Sequence, residues 1–212
     1  IVNIETRKNQ AVIETLKKKR VISKATVEYL VSHRTLELSR QELASLEKYL
    51  DFPQGFLERV GADDIRNYEI IKRLDRECKE ESSIMFFSCS VEHSKFICSV
   101  LLYLGYKAAH IDASTETKMR SATLSDFKSQ KVQVLCNYEI LSTGFDAPRT
   151  DVVFISRPTN SLVLYSQMIG RGLRGPAIGG TEHCKVITVK DDLEGSKDLD
   201  DIYEYFDEYW DE

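Results

Sequence analysis

Three side chains in one short run could hold a polyphosphate. Gln167, Arg171 and Arg174 stand in the order Gln167-x-x-Gly170-Arg171-x-x-Arg174, and steps of four and three residues bring side chains onto one stripe of a helix. Two guanidiniums on one face can each pair with anionic oxygens through a fork of donors, and their charge does not titrate away. A glycine inside a helix costs about 1 kcal/mol relative to alanine, so Gly170 points to close approach of another group to the backbone there. The plainer alternative is a surface helix with unconnected arginines.

Such a run acts only when a scaffold aims it. After Ser82, short apolar stretches at 84–88, 107–111, 132–136, 151–156 and 185–189 alternate with helix-length segments at 91–104 and 116–128. Strand, helix, strand repeated in this way predicts a parallel sheet covered on both faces, hence a three-layer α/β fold. Ligands in such sheets sit outside the carboxyl ends of the strands. The loops after Ser88, Cys136 and Ser156 are therefore the expected chemical edge, with the arginine pair facing a cleft there.

The first 81 residues have a different texture. Leu36, Leu38, Leu43, Leu46, Leu50 and Leu57 recur near helical spacing among Lys, Arg and Glu, and no strand signal is evident. Ser39-Arg-Gln-Glu42 fits a capping box opening a helix over 41–49. Pro53 and Gly55 break the pattern before a second helix over 63–79. The expected organisation is a helical linker or accessory segment at 1–81, an α/β domain at 82–192 and an acidic, helical tail at 193–212.

Composition excludes several classes. A net charge of -5 over 212 residues argues against binding nucleic acid by bulk charge alone and leaves room for a local basic groove. Cys78, Cys89, Cys98, Cys136 and Cys184 form no C-x-x-C pair and share no ligand spacing with the four histidines, so reduced buried thiols and no metal site are expected. No apolar run approaches the roughly 18 residues of a membrane span, and no signal segment opens the chain. A soluble cytoplasmic protein is expected, and Ile1 in place of Met suggests a piece of something longer.

Upstream of the arginines, Thr143-Gly144-Phe-Asp146-Ala-Pro148 follows an apolar strand, and a further strand and Arg157-Pro158-Thr159 lead into Ser161. Together with Gln167-x-x-Gly170-Arg171-x-x-Arg174 these segments resemble motifs V and VI of superfamily-two helicases. The strand and loop ending Ser88-Cys-Ser90 resemble motif IV, and His110-Ile-Asp112-Ala-Ser114 with Arg120 and Asp126-Phe127 resembles the segment between motifs IV and V. The resemblance spans about 83–190 and is strongest at 143–174. It is nearest to bacterial DEAD/DEAH-type helicases and type I restriction motor subunits, where glutamine takes the histidine position of motif VI.

That resemblance implies a C-terminal RecA-like lobe of an ATP-dependent DNA helicase or translocase, with RNA as the alternative strand. Arg174 would be the principal arginine finger and Arg171 a second γ-phosphate contact. Gln167, Gly170, Asp146 and Gly144 would serve the nucleotide, and Ser88, Ser90 and Thr143 the nucleic-acid backbone. Plainer roles stand beside these: Asp146 as a turn cap, Ser88 and Ser90 as helix caps. A full motor also needs G-x-x-x-x-G-K-[ST] and a strand-borne acidic pair for Mg2+. Neither is present; Asp207-Glu208 lies in the acidic tail. The lobe is expected to be inactive without an N-terminal lobe that grips ATP and Mg2+. The other readings are a type I restriction motor segment and a non-enzymatic α/β module whose arginine helix binds an acidic surface. Gly170-x-Gly172-x-x-Gly175 matches a dinucleotide fingerprint on paper, but no helix is expected to start before Pro176 and the Gly179-Gly180 pair.

Overall fold

The computed structural model of the chain describes residues 11–49, 51–139 and 149–194. Six strands form one sheet: β1 (Lys24–Glu37), β2 (Ile84–Phe87), β3 (Ala108–Ile111), β4 (Val134–Asn137), β5 (Val152–Ile155) and β6 (His183–Glu194). Their order is β1-β6-β5-β2-β4-β3, and every pairing is parallel. Among the described residues, 11–18 are helical, and further helices are α1 (Arg40–Tyr49), α2 (Gln54–Gly61), α3 (Asp64–Lys79), α4 (Val91–Tyr103), α5 (Thr117–Lys128) and α6 (Leu162–Gly170).

The three central strands are buried at every position, which is why they read as continuous apolar runs with no alternation. Their odd and even side chains feed two separate cores. Phe86, Val134, Cys136, Val152 and Phe154 pack with Ile70 and Leu74 of α3 and Ile97 and Leu101 of α4. Met85, Phe87, Leu135, Val153 and Ile155 pack with α2, with Phe127 of α5 and with Tyr165, Met168 and Ile169 of α6. The expected three-layer α/β architecture is the one observed.

Local signals act as their chemistry predicts. The Ser39 amide donates to Glu42 Oε2 at 2.9 Å while the Glu42 amide donates to Ser39 Oγ at 3.3 Å, a complete capping box at the start of α1. Asp63 caps α3 by accepting from the Arg66 amide at 2.9 Å. Pro53 starts α2 where a break was expected, because proline is tolerated at a helix entrance where its missing N–H has no partner to lose.

The helical expectation for residues 1–81 is corrected at 24–37. Ala25, Val27 and Tyr29 alternate inward against the core, and the segment adds β1 to the edge of the sheet beside β6. Lys24 and Glu37 are exposed, as an edge strand permits, while Glu28 is half-buried against Arg73; these charges hid the period of two. A bulge between Val31 and Thr35, with His33 at φ 57°, shifts the register against Lys190 and Asp192. In the expected acidic tail, residues 193 and 194 end β6, and 195–212 lie outside the described residues.

Candidate functional site

The carboxyl ends of the strands carry one polar cluster. Between β2 and α4 run Ser88, Cys89 and Ser90. Ser90 Oγ accepts the His93 amide at 3.0 Å, so this hydroxyl caps α4 as the plainer sequence reading allowed. Ser88 is 2% exposed and its Oγ has no hydrogen-bond partner, while its amide donates to the Asn137 carbonyl at 3.0 Å. Thr143, Gly144 and Asp146 lie outside the described residues.

Behind this loop sits a buried ion pair that sequence reasoning missed. Arg66 of α3, fully buried, pairs with Asp191 of β6 through Nε at 2.8 Å and Nη2 at 3.0 Å, and also donates to the Ser156 carbonyl and, at 3.6 Å, to Cys89 Sγ. Burial pushes the Cys89 thiol up, making it inert as a nucleophile near neutrality. All five cysteines are buried and none forms a disulfide.

Arg157, immediately after β5, was also missed as a site residue. Its Nη2 donates to Asp51 Oδ2 at 2.6 Å, its Nη1 lies 3.6 Å from Glu139 Oε1, and its buried Nε has no partner. The detectable signal was an arginine directly following an apolar strand. Further along the same edge, Asp112 accepts from the amide and hydroxyl of Ser114, and Arg120 Nη2 donates at 3.1 Å to the carbonyls of Asp112, Ala113 and Thr115. His110 bridges Ser94 Oγ at 2.7 Å and Asp112 Oδ2 at 3.0 Å. Ser94 is 0% exposed, so this chain is structural and offers no accessible nucleophile.

The arginine run lies elsewhere, and two expectations about it are corrected. Ser161 caps α6 by accepting the Leu164 amide, but α6 ends at Gly170 and Arg171 is its C-terminal cap. Arg174 stands beyond the helix in an isolated antiparallel bridge with Ile22, so Gln167, Arg171 and Arg174 do not share a helical stripe. Nor do the arginines sit at the carboxyl edge. The Arg174 carbonyl accepts from Ser23 Oγ at 2.8 Å and from the Thr181 amide at 2.9 Å, beside the first residues of β1 and β6. The cause is topological: a crossover helix leaving the carboxyl end of β5 must run back to the opposite edge before β6 begins.

Both arginines are partly exposed at that amino edge, and Gln167 and Gly170 are exposed near it. The close approach expected at Gly170 is not there, since a Cβ at that position would meet nothing within 4 Å. Gly172 and Gly175 are the tight positions. An added Cβ would lie 2.2 Å from Val153 Cγ2 at the first and 2.2 Å from the Arg20 carbonyl oxygen at the second. These glycines fold residues 171–175 down onto the sheet and against residues 20–23. The dinucleotide reading fails on the same geometry, because Gly170–Gly175 ends a helix and leads only into a three-residue 3-10 turn, 176–178.

Among the described residues no group of three or more His, Cys, Asp or Glu side chains could hold a metal ion, and no helix is long and apolar enough to cross a membrane.

Residues 67–175 match the family model of the helicase conserved C-terminal domain. A "51.5 kDa protein" of a Lactococcus phage is 29% identical over 165 residues, 71% of this chain and 36% of that protein. The irc3 protein of Schizosaccharomyces pombe, described as a candidate mitochondrial ATP-dependent helicase, is 33% identical over 151 residues, 71% of this chain and 24% of that protein. This chain therefore spans little more than a third of the first relative and about a quarter of the second. In fold, a fragment of a candidate type I restriction enzyme HsdR subunit from Vibrio vulnificus superimposes with a TM-score of 0.52 at 20% identity, covering 80% of this chain and 32% of that one.

Proposed function

The chain belongs to the helicase conserved C-terminal domain family, and from that premise we propose that it is the C-terminal motor lobe of an ATP-dependent DNA helicase or translocase, working with an N-terminal lobe of the same protein. The observation that carries the reading is the matched segment itself: it ends at residue 175 and so takes in Gln167, Arg171 and Arg174 together.

In this reading the two edges of the sheet divide the labour. At the amino edge Arg174 acts as arginine finger and Arg171 as a second γ-phosphate contact, two permanent cations suited to a triphosphate held by the other lobe. Bridging to Ile22 and bonding to Ser23 fix the Arg174 backbone, so its guanidinium starts from a rigid base. Gln167 and Gly170 serve the same nucleotide, and the motif resemblance assigns Gly144 and Asp146 to it too. Mg2+ is assigned to the N-terminal lobe, where the acidic pair that such a motor needs is expected.

At the carboxyl edge, Ser88 offers a hydroxyl, and the loop through Ser90 offers backbone, to the phosphates of one strand; Thr143 is assigned to the same strand on the motif resemblance alone. Such contacts position the strand without reading its sequence. The unanswered Oγ of Ser88 suits this role better than that of Ser90, which already caps α4.

Steady-state turnover of the full-length protein tests the reading. Arg174→Ala is expected to lower nucleic-acid-stimulated ATPase about 10³–10⁵-fold while ATP binding to the N-terminal lobe persists, with single-stranded DNA the better stimulator than RNA. Turnover by the 212-residue chain alone, abolished by the same substitution, would overturn it.

A further inference from the structure

A cavity of about 550 Å³ opens between α2, the start of α3 and the start of α4, lined by Glu58, Gly61, Asp64, Asn67, Ser90, Glu92, His93 and Phe96. Two buried side chains line it with polar atoms that no residue answers: Asn67, 4% exposed, and His93, 2% exposed.

Their remaining bonds fix what each unanswered atom is. Asn67 Nδ2 donates to the Gly61 carbonyl at 2.8 Å, so the free atom is Oδ1, an acceptor. His93 Nδ1 accepts the Cys89 amide at 3.2 Å, so a neutral ring carries its proton on the free Nε2, a donor. Burial and the nearby Arg66 charge hold that ring neutral. Gly61 is required for this packing, since a Cβ there would lie 2.9 Å from His93 Cβ. Two residues of the lining thus hold one unanswered acceptor and one unanswered donor, and an atom of either kind left unpaired costs about 1–3 kcal/mol.

Around this pair stand three carboxylates, Glu58, Asp64 and Glu92, none of which makes an ion pair among the described residues; no lysine or arginine lines the cavity. The lining therefore disfavours phosphate and favours a cation. Phe96, 45% exposed, adds an aromatic face, on which a guanidinium stacks better than an ammonium does. Arginine also brings five donors and no acceptor, which suits Asn67 Oδ1 and the carboxylates, while the carbonyl of its own backbone can accept from His93 Nε2.

We propose that this cavity is a docking site for an arginine side chain presented by a partner protein. The site lies on α2, α3 and α4, apart from residues 171–174; it adjoins the proposed strand contact at Ser90, and the oligonucleotide arm of the test below tells the two apart.

The test is a titration of the isotope-labelled chain with acetyl-Gly-Arg-Gly-amide at moderate ionic strength, followed by amide and imidazole NMR shifts. Shifts should centre on Gly61, Asn67, His93 and Phe96, and the uncharged citrulline analogue should bind at least about ten-fold more weakly. Asp64→Asn combined with Glu92→Gln, both at exposed positions, should weaken binding to a similar degree with the fold intact by its unperturbed spectrum elsewhere. Three results would each overturn the proposal: equal affinity for the citrulline analogue, shifts spread over unrelated acidic surface, or displacement of these same resonances by a single-stranded oligonucleotide instead of the peptide.

Discussion

Arg66 and Asn67 are neighbours on α3 and both are buried, yet the chain treats them oppositely. Arg66 meets Asp191, the Ser156 carbonyl and Cys89, so its charge is matched from within. Asn67 has one bond, to Gly61, and an unanswered oxygen, and it lines the same cavity as His93, which carries an unanswered nitrogen. A polar group answered inside the chain ties layers together; here it joins α3 to the β5 and β6 ends. A pair of unanswered groups on residues that line one cavity contributes nothing to that tie and marks a place for something else.

Unfolding in urea would break or sharpen this contrast. Arg66→Met leaves Asp191 buried without its cation and should cost about 3–5 kcal/mol; adding Asp191→Leu should recover most of that loss, since apolar replacement of a whole buried pair is often neutral. Asn67→Leu takes one donor from the buried Gly61 carbonyl and should cost about 1–3 kcal/mol, less than the loss at Arg66. Equal losses at the two neighbours would dissolve the distinction. The arginine loop repeats it with space in place of charge. Gly172→Ala should cost about 1–3 kcal/mol by driving a methyl into Val153, whereas Gly170→Ala, into open space near a helix end, should be neutral or stabilise by up to about 1 kcal/mol.

Legibility in the sequence followed the range of the interaction. The capping box at Ser39 and Glu42, the helix over 64–79 and the buried strands were all readable, because caps and apolar runs are local. β1 was misread for want of a partner: its alternation is plain only once β6 covers one edge and the core one face. Gly170 just before Arg171 was a helix-end signal taken as helix interior. No spacing rule could have joined Asn67 to His93, or Arg174 to Ile22, because each pair meets only through the fold. The motif order, by contrast, was enough to find the family.

A further expected effect concerns pH. Burial, reinforced by Arg66, lowers the His93 imidazole from 6.5 to about 3. The unfolded chain therefore binds this proton more readily than the folded one. Stability from this group is complete above pH 6.5 and declines as pH falls toward 3, by up to about 1.4 kcal/mol per pH unit. Glu77 is lowered as well, but by its partners and not by burial: burial alone would raise it, and Lys185 and Arg73 hold it below 4.5, so its contribution is lost only under more acid conditions. Between pH 6.5 and 4.5 the two are separable. His93→Asn, which keeps an acceptor near the Cys89 amide and cannot titrate, should flatten the stability profile in that window and leave the steeper acid limb in place. An unchanged slope would mean that His93 is already solvated or paired in the folded chain, which would also remove one of the two free atoms on which the cavity's chemistry rests.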